Sequence, residues 1–218
     1  MVPLETGVVA AMERVIVVGA SGTIGAAIVE LLAERYDLIR ASRTSGDIHV
    51  DATSASSVAD LFQRVGPYDG LITVFGTGLV GAIEDIDDAG YEESFRAKTL
   101  SQIRLVRCGL ETIRDGGSFT LSSGILSQEP RPGFSAIAMA NGAVESFCRS
   151  ASVELPRRLR INCVTPVFMT ETLSRAGVSG DGYPTLSVAD TAPAYVRALQ
   201  GSFTGRVMDA RAPEAWAD

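Results

Sequence analysis

One stretch limits the fold of this chain more than any other. Four β-branched residues, Val15–Val18, run straight into a glycine-rich turn, and an amphipathic helical pattern follows to Leu32. A strand so uniformly apolar is typical of a parallel sheet with both faces covered, because a half-exposed strand would alternate apolar and polar residues. The stretch therefore predicts a buried parallel strand, a tight turn and a helix.

The turn itself predicts a phosphate site. Its three glycines let the backbone bend tightly and approach an anion closely, and the helix that follows points free N–H groups at that anion. A strand before and a helix after are the context that a dinucleotide-binding turn requires. The alternative is a tight strand–helix turn without a ligand. The predicted cofactor residues of the turn are Gly19, Ser21, Gly22, Thr23, Ile24 and Gly25.

Strands and helices alternate along the rest of the chain. Helices are predicted at 23–35, 54–65, 91–113 and 135–155, and further strands at 37–42, 48–51, 68–76, 118–124, 160–166 and 206–208. This βαβ series predicts an α/β fold with a single doubly wound parallel sheet of about seven strands and helices on both faces. Ligands of such folds gather at the carboxyl ends of the strands. Five candidate residues follow strands there: Arg43, Asp51, Gly76, Ser123 and Pro166.

The second strand ends in Ser42 and Arg43, where a βαβ dinucleotide site meets the adenosine ribose. An acidic residue would suit the free 2′-hydroxyl of NAD, whereas arginine pairs with the 2′-phosphate of NADP. Ser42 and Arg43 therefore predict NADP, with a solvated surface arginine as the alternative. Asp51 either accepts a hydrogen bond from the adenine amino group or caps the helix 54–65.

Composition narrows the class of protein. A length of 218 residues fits one domain, and a net charge of −7 argues against non-specific binding to nucleic acid or to an anionic membrane. The three cysteines form no CxxC pair, so neither a metal site nor a disulfide framework is expected and a reducing cytoplasm fits best. Residues 1–12 are interpreted as a mobile extension of a domain at 13–218, although Met12 could be the natural start.

These motifs resemble the short-chain dehydrogenase/reductase family from Arg14 to Asp209. The glycine turn resembles the family's cofactor turn, with G-x-x-G-x-x-G spacing, and the segments 117–123 and 160–166 resemble its serine-bearing and proline-ended strands. The resemblance implies a Rossmann fold, a nicotinamide cofactor and a small-molecule substrate. It also implies a catalytic role for Ser123, cofactor contacts from Pro166 and Thr170, a substrate lid at 173–184, and a homodimer or homotetramer.

The chain departs from the family's Tyr-x-x-x-Lys motif. Aligning 141–144 with the family pattern places Ile137 where the tyrosine is usual and Asn141 where the lysine is usual. Isoleucine cannot transfer a proton, so the usual general acid is absent. The family's asparagine on the preceding helix matches Lys98, so lysine and asparagine are exchanged between two neighbouring helices.

We therefore expect Lys98 to replace the missing lysine in the ribose and proton network, with Ser123 orienting the carbonyl and Asn141 beside them. The alternative for Lys98 is an exposed lysine on an amphipathic helix. The predicted function is NADP(H)-dependent hydride transfer to or from a small carbonyl or alcohol substrate. The competing interpretations are a catalytically degenerate NADP-binding homologue that acts as a sensor or scaffold, and a flavodoxin-like regulator without a dinucleotide.

Overall fold

A computed structural model describes residues 12–180 and 182–217 of the chain. Its strands are β1 (Arg14–Val18), β2 (Asp37–Ser42), β3 (Ile48–His49), β4 (Tyr68–Thr73), β5 (Ile113–Ser122), β6 (Arg160–Thr165), β7 (Phe168–Met169), β8 (Thr185–Leu186) and β9 (Val207–Asp209). Its α-helices are α1 (Thr23–Leu32), α2 (Ala55–Val65), α3 (Asp88–Phe95), α4 (Ser101–Gly109), α5 (Ser135–Ala151), α6 (Thr170–Arg175) and α7 (Val188–Gln200). One turn of π-helix, Arg96–Leu100, joins α3 to α4.

Seven strands form one sheet in the order β3-β2-β1-β4-β5-β6-β9, and every pairing in it is parallel. The chain moves outward from β1 to β3, then returns past β1 to β4 and continues to β9. This reversal of direction next to β1 is the crevice where ligands of doubly wound sheets bind. The predicted fold class is confirmed.

Helices cover both faces of the sheet. On one face α1 and α7 pack together, with Ile28, Leu32 and Tyr195 fully buried. On the other face α2, α4 and α5 enclose a second core around Leu61, Leu105 and Val144. Because both faces of β1 are covered, Val15–Val18 are apolar without alternation.

The glycine turn brings α1 close to the sheet. Gly19 has a φ of +93°, and a Cβ atom there would lie 2.5 Å from the carbonyl oxygen of Val74. A Cβ atom on Gly25 would lie 2.2 Å from the carbonyl oxygen of Gly19. Both positions therefore require glycine, one for backbone conformation and both for space.

The predicted helix 91–113 and strand 118–124 are wrong in their bounds. Helix is present from Asp88 to Gly109 as α3, the π-turn and α4, and β5 already begins at Ile113. Gly116 has a φ of +77° and lies in a bulge of β5, where the pairing with β4 shifts register. The glycine pair that was expected to separate helix from strand therefore lies within the strand.

Other predicted bounds differ at the ends of elements. The first helix ends at Leu32 and α5 ends at Ala151, a few residues before their predicted ends at 35 and 155. Helix α7 was not predicted, although Ser187 caps it by accepting a hydrogen bond from the backbone N–H of Asp190, a recognisable S-x-x-D signal. Pro193 inside that helix obscures its pattern.

Apart from Met12, the predicted N-terminal extension lies outside the described residues. Within 12–180 and 182–217, no helix combines the length and the apolar character that a membrane crossing demands.

Two glycine substitutions test the packing of the turn. Gly25→Ala should destabilise the fold by about 2 kcal/mol or more, because its Cβ would overlap backbone that cannot move aside. Gly142→Ala, on α5, is the matched control: its Cβ would meet no atom closer than 4.0 Å, so it should stabilise the fold by about 0.5–1 kcal/mol. Urea unfolding measures both, and equal stabilities for the two variants would contradict the packing argument.

Candidate functional site

A cleft of about 470 Å³ opens at the carboxyl edge of the sheet, beside the glycine turn. Seven of the predicted cofactor residues line it: Gly19, Ser21, Gly22, Ser42, Arg43, Asp51 and Gly76. Residues that follow four different strands thus meet in one cleft. This agrees with the expectation that ligands of a doubly wound sheet bind at the carboxyl ends of its strands. Further lining residues were not predicted, among them Thr44, Thr53, Glu93 and Arg96.

Arg43 and Ser42 differ in whether their side chains are hydrogen-bonded within the protein. The Arg43 side chain is exposed at the cleft, and no hydrogen bond joins it to the part of the chain that the structure describes. The Ser42 hydroxyl donates to the carbonyl oxygen of Ser45 and accepts from the Ser45 N–H at 3.1 Å. Ser42 therefore shapes the loop that presents Arg43, and Arg43 is the group available to an anion.

Asp51 lines the cleft but does not cap α2. Ser54 is the cap, since its hydroxyl accepts from the Ser57 N–H, and the capping alternative for Asp51 is wrong. Instead, Asp51 Oδ1 accepts hydrogen bonds from the Thr53 hydroxyl at 2.7 Å and the Thr53 N–H at 2.9 Å. These bonds hold the pKa of Asp51 below its usual value, so an ionised acceptor faces the cleft.

Lys98 is buried, with 8% of its surface exposed. The alternative of an exposed lysine is therefore wrong. Its Nζ donates to the carbonyl oxygen of Ser123 at 2.9 Å, and its aliphatic chain packs on Gly76, where a Cβ atom would lie 2.6 Å from Lys98 Cγ. Burial lowers the pKa of Lys98 to about 8, because the charged form loses hydration.

The π-turn at 96–100 places Lys98 and Thr99 inward together. The Ser101 N–H reaches back five residues to the Arg96 carbonyl oxygen, and the inserted residue changes the helical phase. Thr99 Oγ1 donates to the Ala140 carbonyl oxygen at 2.9 Å, which fixes this turn against α5. Lys98 and its neighbour are thus both buried at this turn.

Gln102, one turn after Lys98, lies between the ends of β4 and β5. Its Oε1 accepts hydrogen bonds from the Ser122 N–H and the Thr73 hydroxyl. Its Nε2 donates to the Ser122 carbonyl oxygen. These bonds replace the backbone pairing that would otherwise join the two strand ends. The next residue, Ser123, donates its N–H to the Val164 carbonyl oxygen of β6 at 2.9 Å and offers its own carbonyl oxygen to Lys98.

Asn141 lies against the same segment from α5. Its Nδ2 donates to the Gly124 carbonyl oxygen at 3.1 Å, so Lys98 and Asn141 hold two consecutive carbonyl groups. Asn141 is 2% exposed, and its Oδ1 has no hydrogen-bond partner among residues 12–180 and 182–217. A buried acceptor without a partner is costly, and a ligand hydroxyl would satisfy it. Together with the glycine turn, these residues fit a dinucleotide.

Ile137 fills the place that the alignment gives to a tyrosine. It is half-buried on α5, and a Cβ atom on Gly78 would lie 2.7 Å from its Cγ1. Among the described residues, Tyr195 is the tyrosine whose hydroxyl contacts Ser122 or Ser123, and it lies 2.8 Å from Ser122 Oγ. Tyr195 is fully buried on α7, and burial raises its pKa far above the usual value, so it does not serve as a proton donor.

The remaining predicted cofactor residues surround the segment after β6. Ile24 packs against a small cluster of Ile125, Val167 and Met169, which joins the glycine turn to this segment. The Pro166 carbonyl oxygen accepts from the Ile125 N–H at 2.9 Å. Thr170 is exposed at the start of α6. In the predicted lid, Arg175 of α6 reaches Thr23 Oγ1 at 3.4 Å, so this segment meets the beginning of α1.

Two features of the site were missed. Lys98 is the only lysine of the chain, whose other basic residues are all arginine apart from one histidine, and this composition was a signal for its special role. Glu145 was also overlooked, although it is buried on α5 and accepts a hydrogen bond from Ser123 Oγ at 2.7 Å. The spacing of Asn141 and Glu145, one helical turn apart, was the available signal.

Comparison with protein families gives one model, described as enoyl-(acyl carrier protein) reductase, that matches residues 10–198. Among curated proteins, the glucose and ribitol dehydrogenase homolog 2 of Arabidopsis thaliana is 24% identical over 161 residues, which are 69% of this chain and 56% of that protein. A hydroxynaphthalene reductase-like protein of Metarhizium brunneum is 27% identical over 125 residues, which are 55% of this chain and 47% of that protein. The chain thus spans about half the length of these curated relatives.

Solved structures match over most of the chain. The protein lin1944 from Listeria innocua is 33% identical with a TM-score of 0.87, and the match covers 91% of this chain and 99% of that one. A small-chain dehydrogenase in complex with NADPH is 26% identical with a TM-score of 0.82, and the match covers 91% of this chain and 96% of that one.

The burial of Lys98 predicts a pH-dependent stability difference. A lysine whose folded-state pKa is lowered from 10.5 to about 8 destabilises the fold fully below pH 8, and this cost disappears as pH rises to the unfolded value. The stability of Lys98→Met relative to the natural chain should therefore fall by on the order of 3 kcal/mol across this window. Taking the difference between the two proteins cancels their shared tyrosine and cysteine titrations. Parallel curves from urea unfolding would show that Lys98 is not desolvated.

Proposed function

This chain belongs to the short-chain dehydrogenase/reductase family, and we propose that it is an NADP(H)-dependent oxidoreductase that interconverts a small carbonyl compound and its alcohol by hydride transfer. The observation that carries the proposal is the burial of the only lysine of the chain beside Ser123 and Asn141, whose Oδ1 has no hydrogen-bond partner among the described residues. A charge is seldom buried in a protein without a partner or a function, because it loses its hydration.

In the adenosine half of the cofactor site, the glycine turn and the first N–H groups of α1 would hold the pyrophosphate. Arg43, exposed at the cleft, would bind the 2′-phosphate of NADP, and the ionised Asp51 would accept from the adenine amino group. Guanidinium and phosphate form paired, charge-assisted hydrogen bonds, which favours NADP over NAD. The related dehydrogenase solved with NADPH supports this choice.

In the nicotinamide half, Lys98 Nζ and Asn141 Oδ1 would bind the ribose hydroxyls, one as donor and one as acceptor. Pro166 and Thr170 would position the carboxamide. The bound nicotinamide would supply or accept the hydride, and Ser123 would orient the reacting oxygen. A lysine with a pKa of about 8 is still largely protonated near neutral pH, so Lys98 would donate a hydrogen bond to the reacting oxygen in place of the phenol that Ile137 lacks.

The absence of the tyrosine favours a second candidate function. Ile137 packs against Gly78, and no phenol from the described residues takes its place beside Ser123. The alternative is therefore a catalytically degenerate homologue that binds NADP as a sensor or scaffold. A titration with NADPH and NADH, followed by a screen of carbonyl and alcohol substrates, separates the two: tight NADPH binding without any turnover would favour the sensor.

We also propose a homodimer or homotetramer. Leu100 of the π-turn and Met139 of α5 are both 39% exposed, although they are large and apolar. Burial of such side chains in an interface is favourable because it removes apolar surface from water.

Arg43 sets the expected cofactor preference. Arg43→Ala should weaken NADPH binding by about 10- to 100-fold and leave NADH binding nearly unchanged, because only NADPH carries the 2′-phosphate. Arg64→Ala removes an exposed arginine that pairs with Asp60 on α2, outside the cleft, and is the matched control. Fluorescence titration measures the dissociation constants, and equal losses for both cofactors would contradict the role of Arg43.

The proposed contact of Lys98 with the nicotinamide ribose predicts how NADPH affinity depends on this side chain and on pH. Lys98→Met should weaken NADPH binding by about 10-fold or more, because a charged donor to the ribose is lost. In the natural chain, affinity should fall as pH rises through about 8, when Lys98 loses its proton. Arg107→Met removes an exposed charge from α4 and should have little effect on either measurement. Unchanged affinity and turnover in Lys98→Met would refute the role of Lys98.

A further inference from the structure

We propose that Glu145 acts through Ser123 as the proton acceptor of the site: it fixes the Ser123 hydroxyl and receives its proton when an alcohol is oxidised. The inference rests on the proposed function, and it assigns a positioning residue that the family resemblance did not supply. It begins from a buried carboxylate that touches the serine directly.

Glu145 lies on α5, one turn after Asn141, and is 5% exposed. Its Oε1 accepts a hydrogen bond from Ser123 Oγ at 2.7 Å and a second from the Ser127 hydroxyl. Its Oε2 is 3.7 Å from Arg149 Nη2, whose side chain is 57% exposed. One end of the carboxylate therefore faces the site, and the other end leads to a solvated cation.

The Ser123 hydroxyl has one proton and two acceptors within reach. The Asn141 carbonyl oxygen is at 3.2 Å, whereas Glu145 Oε1 is at 2.7 Å. The hydroxyl donates to the carboxylate because that acceptor is closer and because a charged acceptor makes the stronger hydrogen bond. Ser123 therefore directs its proton to Glu145 and keeps its lone pairs for another donor.

This direction determines how a substrate would meet the serine. A carbonyl oxygen offers no proton to Ser123 Oγ, but an alcohol hydroxyl does. Lys98, which uses one of its three N–H donors on the Ser123 carbonyl oxygen, supplies the donor that a carbonyl oxygen needs. The two groups thus suit the two forms of a substrate that is interconverted between alcohol and carbonyl.

The proton step then balances. As the alcohol is oxidised, its O–H bond breaks and the proton forms a new O–H bond with Ser123 Oγ, while the original Ser123 proton passes to Glu145 Oε1. A bound oxidised nicotinamide cofactor would accept the hydride from the carbon that bears the hydroxyl group. In carbonyl reduction the protons move in the opposite order. Glu145 exchanges its proton with solvent on the side of Arg149.

Several other charged or titratable groups face Glu145. Arg149 and Cys148 share its helix, and Cys163 approaches from β6 with Lys98 beyond it. Burial raises the pKa of Cys148 to about 12 and that of Cys163 well above its usual value, so both thiols stay neutral across the working range. Lys98 loses its proton near pH 8, so it governs the alkaline limb of a pH profile.

The test compares Glu145→Gln with Glu154→Gln. The first variant keeps an oxygen that accepts from Ser123 but cannot take up a proton, so kcat for alcohol oxidation should fall by about 100-fold or more and the acidic limb of log kcat against pH should disappear. NADPH affinity should not change. Glu154→Gln makes the same substitution at an exposed residue beyond α5 and should behave like the natural chain. An unchanged acidic limb in Glu145→Gln would overturn the proposal.

Ser127→Ala provides a second readout that a purely structural role would not move. Losing one of two hydrogen bonds to the ionised carboxylate makes ionisation harder, so the acidic limb should shift to higher pH while NADPH affinity stays the same. A limb that stays in place contradicts a role for Glu145 in proton uptake.

An infrared titration of the cofactor-free protein tests the pairing without turnover. The protonated-carboxyl band that Glu145→Gln removes should titrate at higher pH in Ser123→Ala and in Ser127→Ala than in the natural chain. If no substrate is turned over, the proposed function fails, and this titration alone still decides the hydroxyl–carboxylate pairing. A band that neither serine affects would show that the pairing does not exist.

Discussion

The burial of Lys98 is the constraint on which the architecture of the site depends. An ammonium group removed from water must find acceptors inside the protein, and here the first is the Ser123 carbonyl oxygen. One turn further along the helix, Gln102 binds the N–H and the carbonyl oxygen of the preceding residue, Ser122, at the end of β5. Gly76 leaves room for the aliphatic chain of the lysine. The strand ends, the π-turn and the glycine after β4 are therefore parts of one arrangement.

Ser123 lies between opposite charges. Its carbonyl oxygen accepts from the Lys98 ammonium, and its hydroxyl donates to the Glu145 carboxylate. Ser123 thus binds both buried groups, and Glu145 also accepts a hydrogen bond from the Ser127 hydroxyl. In the proposed function, a lysine on one helix and a carboxylate on the next would take the place of the family's phenol and lysine on a single helix. They would offer a route for a proton in a chain that has Ile137 in place of the tyrosine.

The sequence pattern predicted those elements whose conformation depends on residues close together in the chain. The apolar run Val15–Val18 and the glycine turn predicted the buried strand and the turn, and β2 has the predicted bounds. Helix bounds failed where tertiary contacts decide them, as at the β5 bulge around Gly116. The surroundings of Lys98 could not be predicted from local patterns, because its contacts with Gly76 and Ser123 join residues more than 20 positions apart. Glu145 was overlooked because the contact with Ser123 joins residues 22 positions apart.

The most direct test of the account is a crystal structure of the chain with NADP(H) bound. The account predicts Lys98 Nζ and Asn141 Oδ1 within hydrogen-bond distance of the nicotinamide ribose hydroxyls, with Arg43 on the 2′-phosphate. It would be contradicted if the ribose met neither side chain and Lys98 remained bound only to the Ser123 carbonyl oxygen.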